Sequence, residues 1–214
     1  MTSLEALAVD PSDAHHLTRV LRLRDGEAVT ATDGAGGWRA CRWRGGALEP
    51  DGRVHHVARA RPALTIGFAP VKGDRPEWTA QKLTELGVDR IVPLHTVRSV
   101  VRWDGERGAA AVARLRRVTR EALMQSRRCW LPEVTDVRTP SALPDAALAE
   151  PGAAPLSLSH PAVLVGPEGG WAPEELATAA ATVSLGAGIL RAETAALAAA
   201  VLLGALREGF MNTF

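Results

Sequence analysis

Tyrosine is absent from this 214-residue chain, and the remaining aromatic residues are six tryptophans and three phenylalanines. Cysteine is almost as scarce. Cys41 and Cys129 are the two present, no C-x-x-C occurs, and so neither a disulfide framework nor a cysteine metal site is expected. Reduced thiols in a cytoplasmic chain are the simpler reading. The histidines at 15, 16, 55, 56, 95 and 160 show no H-E-x-x-H and no ligand spacing with a carboxylate, which excludes the common zinc-hydrolase pattern; no metal is expected. Long apolar runs are also lacking. The longest, "AALAAAVLLGAL" from Ala195 to Leu206, is too short to span a bilayer and reads as a buried helix. The opening "MTSLEALAVD" has no basic start and no apolar core, so no signal peptide and no membrane partner are expected. G-x-G-x-x-G with its trailing acid, G-x-x-x-x-G-K-[ST] and G-x-S-x-G are all missing, which argues against dinucleotide, P-loop nucleotide and α/β-hydrolase chemistry.

What is present is enough apolar sequence, 46% of residues, for a substantial core, and a net charge of +1 that hides an asymmetry. Residues 1–61 hold nine Lys/Arg and eight Asp/Glu, residues 62–128 thirteen and seven, and residues 129–214 three and nine. A basic middle beside an acidic end suits a polyanion docking on one face; solvated charge on helix surfaces explains it equally well.

The texture divides the chain near residue 61. Before it, "DAHHLTRVLRL" (Asp13 to Leu23) has helical spacing, and "EAVTATD", "WRACRWRG" and "RVHHVARA" read as short strands with turns at "DGAGG" and "GALEPDG". A small β-barrel carrying one helix fits. After it, continuous apolar runs alternate with helical patterns. "ALTIGFAPV" reads as a strand buried on both faces, followed by a helix from Arg75 to Gly87, the strand "VDRIVPLH", and a long helix from Gly105 to Arg128. "PEVTDV" reads as a short strand and "TPSALPDAALAEPGAAP" as a Pro/Ala connector with at most a helical turn. "PLSLSH", "AVLVG" and "TVSLG" read as further strands, with helices starting at Pro173 and ending near Arg207. This alternation predicts an α/β fold with a mostly parallel sheet.

Two segments interrupt strands with glycine turns and then start helices at once: "LVGPEGGWAPEEL" (Leu164 to Leu176) and "VSLGAGILRAETAALAAAVLL" (Val183 to Leu203). Ligands of open α/β sheets bind beyond the carboxyl ends of the strands, where both turns fall. Pro173 suits a first helical position, and Glu174 and Glu175 oppose the positive end of the helix dipole. An anion is therefore a poor guest there, and a cationic or neutral ligand held by backbone groups suits better. Ala172 stands at the cap without a capping oxygen, at a cost of about 1 kcal/mol.

Those two segments resemble the C-terminal signatures of the RsmE-type family, bacterial small-subunit ribosomal RNA uridine-N3 methyltransferases of the SPOUT superfamily. "HHLTRVLRLRDGEAV", "KGDRPEWTAQKLTELGVDRIVPL", "RSV" (Arg98 to Val100) and "EALMQSRRCWLPEV" continue the resemblance in order over most of the chain. It implies a PUA-like RNA-binding β-barrel over residues 1–61 and a SPOUT methyltransferase domain over 62–214, with a deep trefoil knot at about 163–207. It implies S-adenosylmethionine between the two glycine turns, held by Leu164, Gly166, Pro167, Glu168, Gly169, Gly170, Leu185, Gly186, Ile189, Leu190, Arg191, Thr194 and Ala195. It implies methylation of uridine N3 in small-subunit (16S) ribosomal RNA, presented free or in the assembled subunit, by a homodimer. The alternatives are ribose 2′-O methylation and a non-catalytic knotted RNA-binding protein.

Methylation at N3 requires loss of the imide proton and a fixed cation for the charge on the uracil oxygens. Arg191 is assigned that cation, Glu193 the residue that holds it or accepts a proton, and Arg128 a supporting catalytic place. RNA contacts fall to His16, Arg19, Arg22, Arg75, Arg98, Gln125, Arg127 and Arg128, with Arg114, Arg116, Arg117 and Arg120 as phosphate candidates on the long helix. Trp171 is the better placed of two tryptophans to stack on an extruded base, and Trp78 the better candidate for the core. The chain departs from the family at Gly188, where Arg is usual, and at Met124-Gln125-Ser126-Arg127-Arg128, where Glu-Gln-Ser-Gly-Arg is usual.

Overall fold

In a computed structural model of the chain, residues 3–10, 13–14, 16–20 and 22–211 are described. His15 and the side chain of His16 fall outside them. The chain forms two compact units: Met1–Arg59 together with Leu123–Leu131, and Ala60–Ala122 together with Pro132–Phe214. The segment 123–131, which the sequence leaves inside the second domain, thus belongs to the first.

The first unit is built on an antiparallel sheet of β1 (Ala28–Thr32), β2 (Gly37–Arg44) and β3 (Ala47–His56), in that order. Asp33 shapes the β1–β2 connection by accepting the N–H groups of Ala35 and Gly37 at 2.7 and 2.9 Å. The β2–β3 turn is Gly45-Gly46, whose φ values of +54° and +85° suit a two-residue hairpin. "GALEPDG" is therefore not a turn: its residues from Ala47 onward are already in β3. Leu4, Leu7, Ala31, Cys41, Trp43 and Leu48 form the core, against which Leu17 and Leu23 pack. Of the helix expected over 13–23, Asp13 and Ala14 are α-helical and His16–Val20 form a π-helical turn among the described residues.

Segment 123–131 is fastened to this sheet by backbone bonds, Leu131 N–H to Gly34 O and Gly36 N–H to Cys129 O, both at 2.8 Å. The Trp130 indole N–H donates to Val57 O at 2.9 Å, and Arg59 lies over its ring at 4.8 Å. Burial pushes both thiols, Cys41 and Cys129, above their ordinary value, so neither is an activated nucleophile.

The second unit runs β4 (Thr65–Phe68), α1 (Arg75–Glu85), β5 (Arg90–Pro93), α2 (Gly105–Gln125), β6 (Glu133–Val134), β7 (Ala147–Pro155), β8 (Ala162–Val165), α3 (Pro173–Ala177), β9 (Ala181–Ser184) and α4 (Ala192–Arg207). The last residues of α2 fall in the first unit. The sheet is parallel throughout, in the order β6-β5-β4-β8-β7-β9. Its centre is buried on both faces: every residue of β4 is buried, and Val163, Leu164 and Val165 of β8 are 3% exposed or less. That is why both read as continuous apolar runs.

Three expectations are corrected. Residues 147–155 are not connector but β7, an interior strand whose Ala147 and Leu148 pack between β8 and β9. Its small residues and its bulge between Ala149 and Ala154 hide the strand pattern. "PLSLSH" beyond Pro155 is loop. The long helix stops at Gln125 because Arg127 takes φ +54°, with Arg128 N–H returning to Leu123 O and Arg127 N–H to Met124 O. That is a Schellman close, with Arg127 in the left-handed position that glycine ordinarily takes.

α4 is tied down at its C-terminal end. The Arg207 guanidinium meets Asp89 at 2.7 Å, with side-chain exposures of 5% and 9%. It also donates to Gly87 O, while Asp89 accepts Leu64 N–H. Removing one partner leaves a buried charge alone. Asp89→Ala should therefore cost about 3–5 kcal/mol in urea unfolding. Arg127→Gly should raise stability by about 1 kcal/mol by relieving the left-handed backbone; the same urea titration reads it.

Candidate functional site

A cavity of about 240 Å³ opens at the carboxyl ends of the parallel strands of the second unit. Three turns wall it. Val165 to Trp171 follow β8, Leu185 to Leu190 follow β9, and Ala149, Glu150 and Pro151 come from the bulge of β7. Ala192 and Ala195 of α4 close it. Four of the lining residues are glycines, Gly166, Gly170, Gly186 and Gly188. Gly170 and Gly186 adopt φ +68° and +139°, and a Cβ on either meets nothing within 4 Å. Backbone conformation, not crowding, therefore calls for glycine at both places.

The charge in the wall has one sign. Glu150 and Glu168 line the cavity, and no Lys or Arg does among the described residues. A phosphate would meet two carboxylates there, whereas a cationic, partly apolar molecule would meet complementary charge beside Leu185, Ile189 and Leu190.

The first glycine turn is held from outside. Gly170 N–H donates to Pro167 O at 2.9 Å, closing the turn. Glu175 of α3 accepts donors that a cap oxygen at 172 would not reach: its carboxylate takes Ala172 N–H at 2.9 Å and Val97 N–H at 3.0 Å. The bond to Ala172, from three residues downstream, is the returning half of a capping box. Arg98, on the same turn as Val97, donates to Gly169 O at 3.0 Å.

Most of the expected cofactor residues line this cavity: Gly166, Pro167, Glu168, Gly170, Leu185, Gly186, Ile189, Leu190 and Ala195. Leu164 does not, being fully buried in the sheet behind it. Gly169 faces Arg98 instead. Arg191 and Thr194 are exposed and outside the wall. The β7 turn was missed. Its signal was Pro151-Gly152, a turn dipeptide inside an Ala-rich stretch. Gly188 lines the cavity with nothing within 4 Å of a Cβ.

The expected Arg191–Glu193 pairing does not form. Glu193 pairs with Arg75 of α1 at 3.4 Å, and its Oε2 is buried with no hydrogen-bond partner among the described residues. Arg191 is the exposed N-cap residue of α4. The tryptophans exchange degrees of burial. Trp171 is 4% exposed, lies against Gly166 and donates its indole N–H to Ala149 O at 3.0 Å, so it packs into the core at the cavity wall. Trp78, expected inside, is 44% exposed because it lies on the outer side of α1, away from Leu83 and Ala80. Of the long-helix arginines, Arg114 meets Glu77, Arg116 meets Asp136, and Arg117 meets Glu121. Arg19, Arg22, Gln125 and Arg127 are exposed and Arg128 half-buried, all within the first unit. Among the described residues no group of three His, Cys, Asp or Glu is arranged to hold a metal, and no helix is long and apolar enough to cross a membrane.

Residues 59–204 match the family described as RNA methyltransferase domain, and residues 9–42 that described as RNA methyltransferase PUA domain. Over 133 residues the chain is 35% identical to the Ribosomal RNA small subunit methyltransferase E of Mycobacterium bovis, covering 60% of this chain and 51% of that protein. It thus spans about half the length of the curated relatives it matches. Among solved structures, a Ribosomal RNA small subunit methyltransferase E from Neisseria gonorrhoeae bound to S-adenosyl methionine is similar at TM-score 0.74 and 31% identity, covering 92% of this chain and 90% of that one. A putative methyltransferase from Legionella pneumophila in complex with SAM is similar at TM-score 0.77 and 26% identity, with the same coverage.

The Glu175 latch generates a stability prediction. Glu175→Ala leaves two backbone N–H groups of the turn region without their acceptor and should cost about 1–3 kcal/mol each where water cannot replace it. Urea unfolding of the variant against wild type measures this.

Proposed function

Because the chain belongs to the RNA methyltransferase family, whose domain spans residues 59–204, we propose that it transfers a methyl group from S-adenosylmethionine to N3 of a uridine in small-subunit (16S) ribosomal RNA. One observation supports this most: a cavity at the strand ends walled by glycine turns and by two carboxylates, without a cation among the described residues. S-adenosylmethionine, when bound, supplies an electrophilic methyl group on a cationic sulfonium. Glu150 and Glu168 complement that charge, the main chain of Gly166 to Gly170 and Leu185 to Gly186 approaches the flat part of the molecule, and Leu190 and Ala195 exclude water from it.

The target base comes to the rim of the cavity. Arg191, exposed at the start of α4, sets a permanent cation for the uracil oxygen that gathers charge as N3 loses its proton. Glu193 holds Arg75 with one carboxylate oxygen, and its other oxygen, Oε2, is an acceptor without a partner. In this reading Glu193 keeps Arg75 near the rim, and the N3 proton leaves to solvent. Arg19, Arg22, Gln125, Arg127 and Arg128 of the first unit contact the RNA backbone, which orients but does not select a base.

The topology supports a knotted C-terminal segment at about 163–207. The chain leaves β8, passes β7 to lay down β9 on its far side, and then returns as α4 to pack against β4 and β8. The Ala-rich α4, with Val201 exposed, supports a second copy as partner. Free thiols support a cytoplasmic setting.

Calorimetry with S-adenosylmethionine, followed by methyl transfer to small subunits lacking the mark and mapping of the product, tests the reading. A methyl on ribose would assign 2′-O chemistry instead, and cofactor binding without transfer would assign a non-catalytic RNA-binding protein. Arg191→Ala should lower kcat by about 10²–10³ with cofactor affinity unchanged; full turnover in that variant would remove Arg191 from the chemistry.

A further inference from the structure

Arg98 has the composition-level look of a phosphate-binding arginine, exposed and in the basic middle of the chain. Its contacts point elsewhere. It stands on a short turn that continues β5, and that turn is rigid. Thr96 is buried, its hydroxyl and that of Ser99 are 2.8 Å apart, and Ser99 N–H returns to Thr96 O at 3.1 Å. From this turn the guanidinium donates to Gly169 O at 3.0 Å, and its aliphatic stem packs on Gly169, with Cβ 3.6 Å from where a Gly169 side chain would begin. One residue earlier, Val97 N–H is bound to the Glu175 carboxylate.

Gly169 itself does not line the cavity, but Glu168 before it and Gly170 after it do. Arg98 therefore grips the outer side of a turn whose inner side is the cavity wall. Rotating that single peptide would swing the flanking carboxylate and the Gly170 N–H out of place; within the turn itself the Gly170 N–H bond to Pro167 O opposes the rotation, and Arg98 adds a second hold on the other side of the same peptide.

We propose that Arg98 is a positioning residue for the methyl donor: it fixes the Gly169 peptide and so pre-forms the cofactor wall, instead of binding RNA. This rests on the reading that the cavity takes S-adenosylmethionine. A guanidinium–carbonyl bond is a charge-assisted one, and pre-forming a binding loop raises affinity by removing the cost of ordering it. Glu175 latches the same two segments one step away, which keeps the fold intact when Arg98 is replaced.

The experiment uses the full-length protein with Arg98→Ala and Arg98→Lys. It measures S-adenosylmethionine affinity by calorimetry, affinity for a 16S ribosomal RNA transcript by filter binding, and thermal unfolding. Arg98→Ala should bind S-adenosylmethionine about tenfold more weakly, with RNA affinity within about twofold of wild type and folding retained. Arg98→Lys should recover part of the cofactor affinity, because a lysine supplies one point donor in place of the fork; it also gives the reading if the alanine variant folds poorly. Equal cofactor affinity in wild type and Arg98→Ala, with RNA affinity lost, would overturn the inference alone. A wild-type protein that binds no S-adenosylmethionine would overturn the proposed function and this inference with it.

Discussion

The central strands of the second unit are buried on both faces, and this constrains everything else in it. β4 and β8 offer no exposed side chain along the buried stretch, and their backbone groups are used in the ladder. Chemistry is therefore displaced to the strand ends, and the two ends are used differently. Before β5, at the amino end, Asp89 and Arg207 form a dry ion pair. Beyond β7, β8 and β9, at the carboxyl end, the three turns enclose the cavity. α4 connects them. Its sixteen residues span about 24 Å at the helical rise, with Ala192 and Ala195 at the cavity and Arg207 at the ion pair. A helix fixed by a buried charge at one end can present small residues to a ligand at the other without needing strong contacts there.

Four glycines stand in the cavity wall, Gly166, Gly170, Gly186 and Gly188, and this bears on both what the site lacks and how it is maintained. Side-chain fingerprints for phosphate or nucleotide are missing because glycine turns give main chain direct access to a ligand. The same turns are intrinsically loose, so their shape has to be imposed from outside. Trp171, its ring against Gly166 and its N–H on Ala149, joins the β8 turn to the β7 turn from inside the core. Glu175, itself buried, and the exposed Arg98 join it to the turn after β5. A buried aromatic and two charged side chains thus hold a segment that cannot hold itself.

Periodicity made the parallel sheet and both glycine turns legible, because they depend on local apolar runs and on glycine. What sequence did not disclose depends on tertiary partners. β7 is built of small residues, and Ala147 to Ala154 alternate in no pattern; only its place between β8 and β9 makes it a strand. Trp78 and Trp171 are equally apolar, and helical phase alone does not say which one meets the core. Glu193 lies two residues from Arg191 along a helix start, yet neighbours so spaced do not face each other; Arg75, more than a hundred residues away in the chain, takes the carboxylate. Arg127 is the instructive case. Read as a substituted family motif it looked like an altered RNA contact, whereas its φ of +54° makes it first a helix terminator in an unfavourable residue type.

The charge asymmetry is weaker in space than in sequence, and the size of each ion pair decides which arginines remain available to a polyanion. Arg117 and Glu121 are 3.9 Å apart with side-chain exposures of 70% and 64%, and Arg116 and Asp136 are 54% and 74% exposed. Pairs this wet contribute about 0–1 kcal/mol, so a phosphate can replace the carboxylate with little loss. Arg207, 5% exposed against Asp89, cannot make that exchange without opening the core. Arg75 lies between these limits, itself 43% exposed but facing a Glu193 that is only 13% exposed. Its carboxylate partner cannot turn to solvent, so Arg75 is held at the start of α1 whatever approaches it. The helix arginines therefore form an exchangeable outer set suited to phosphates, while Arg75 and Arg207 are fixed by their partners, one near the proposed chemistry and the other far below it.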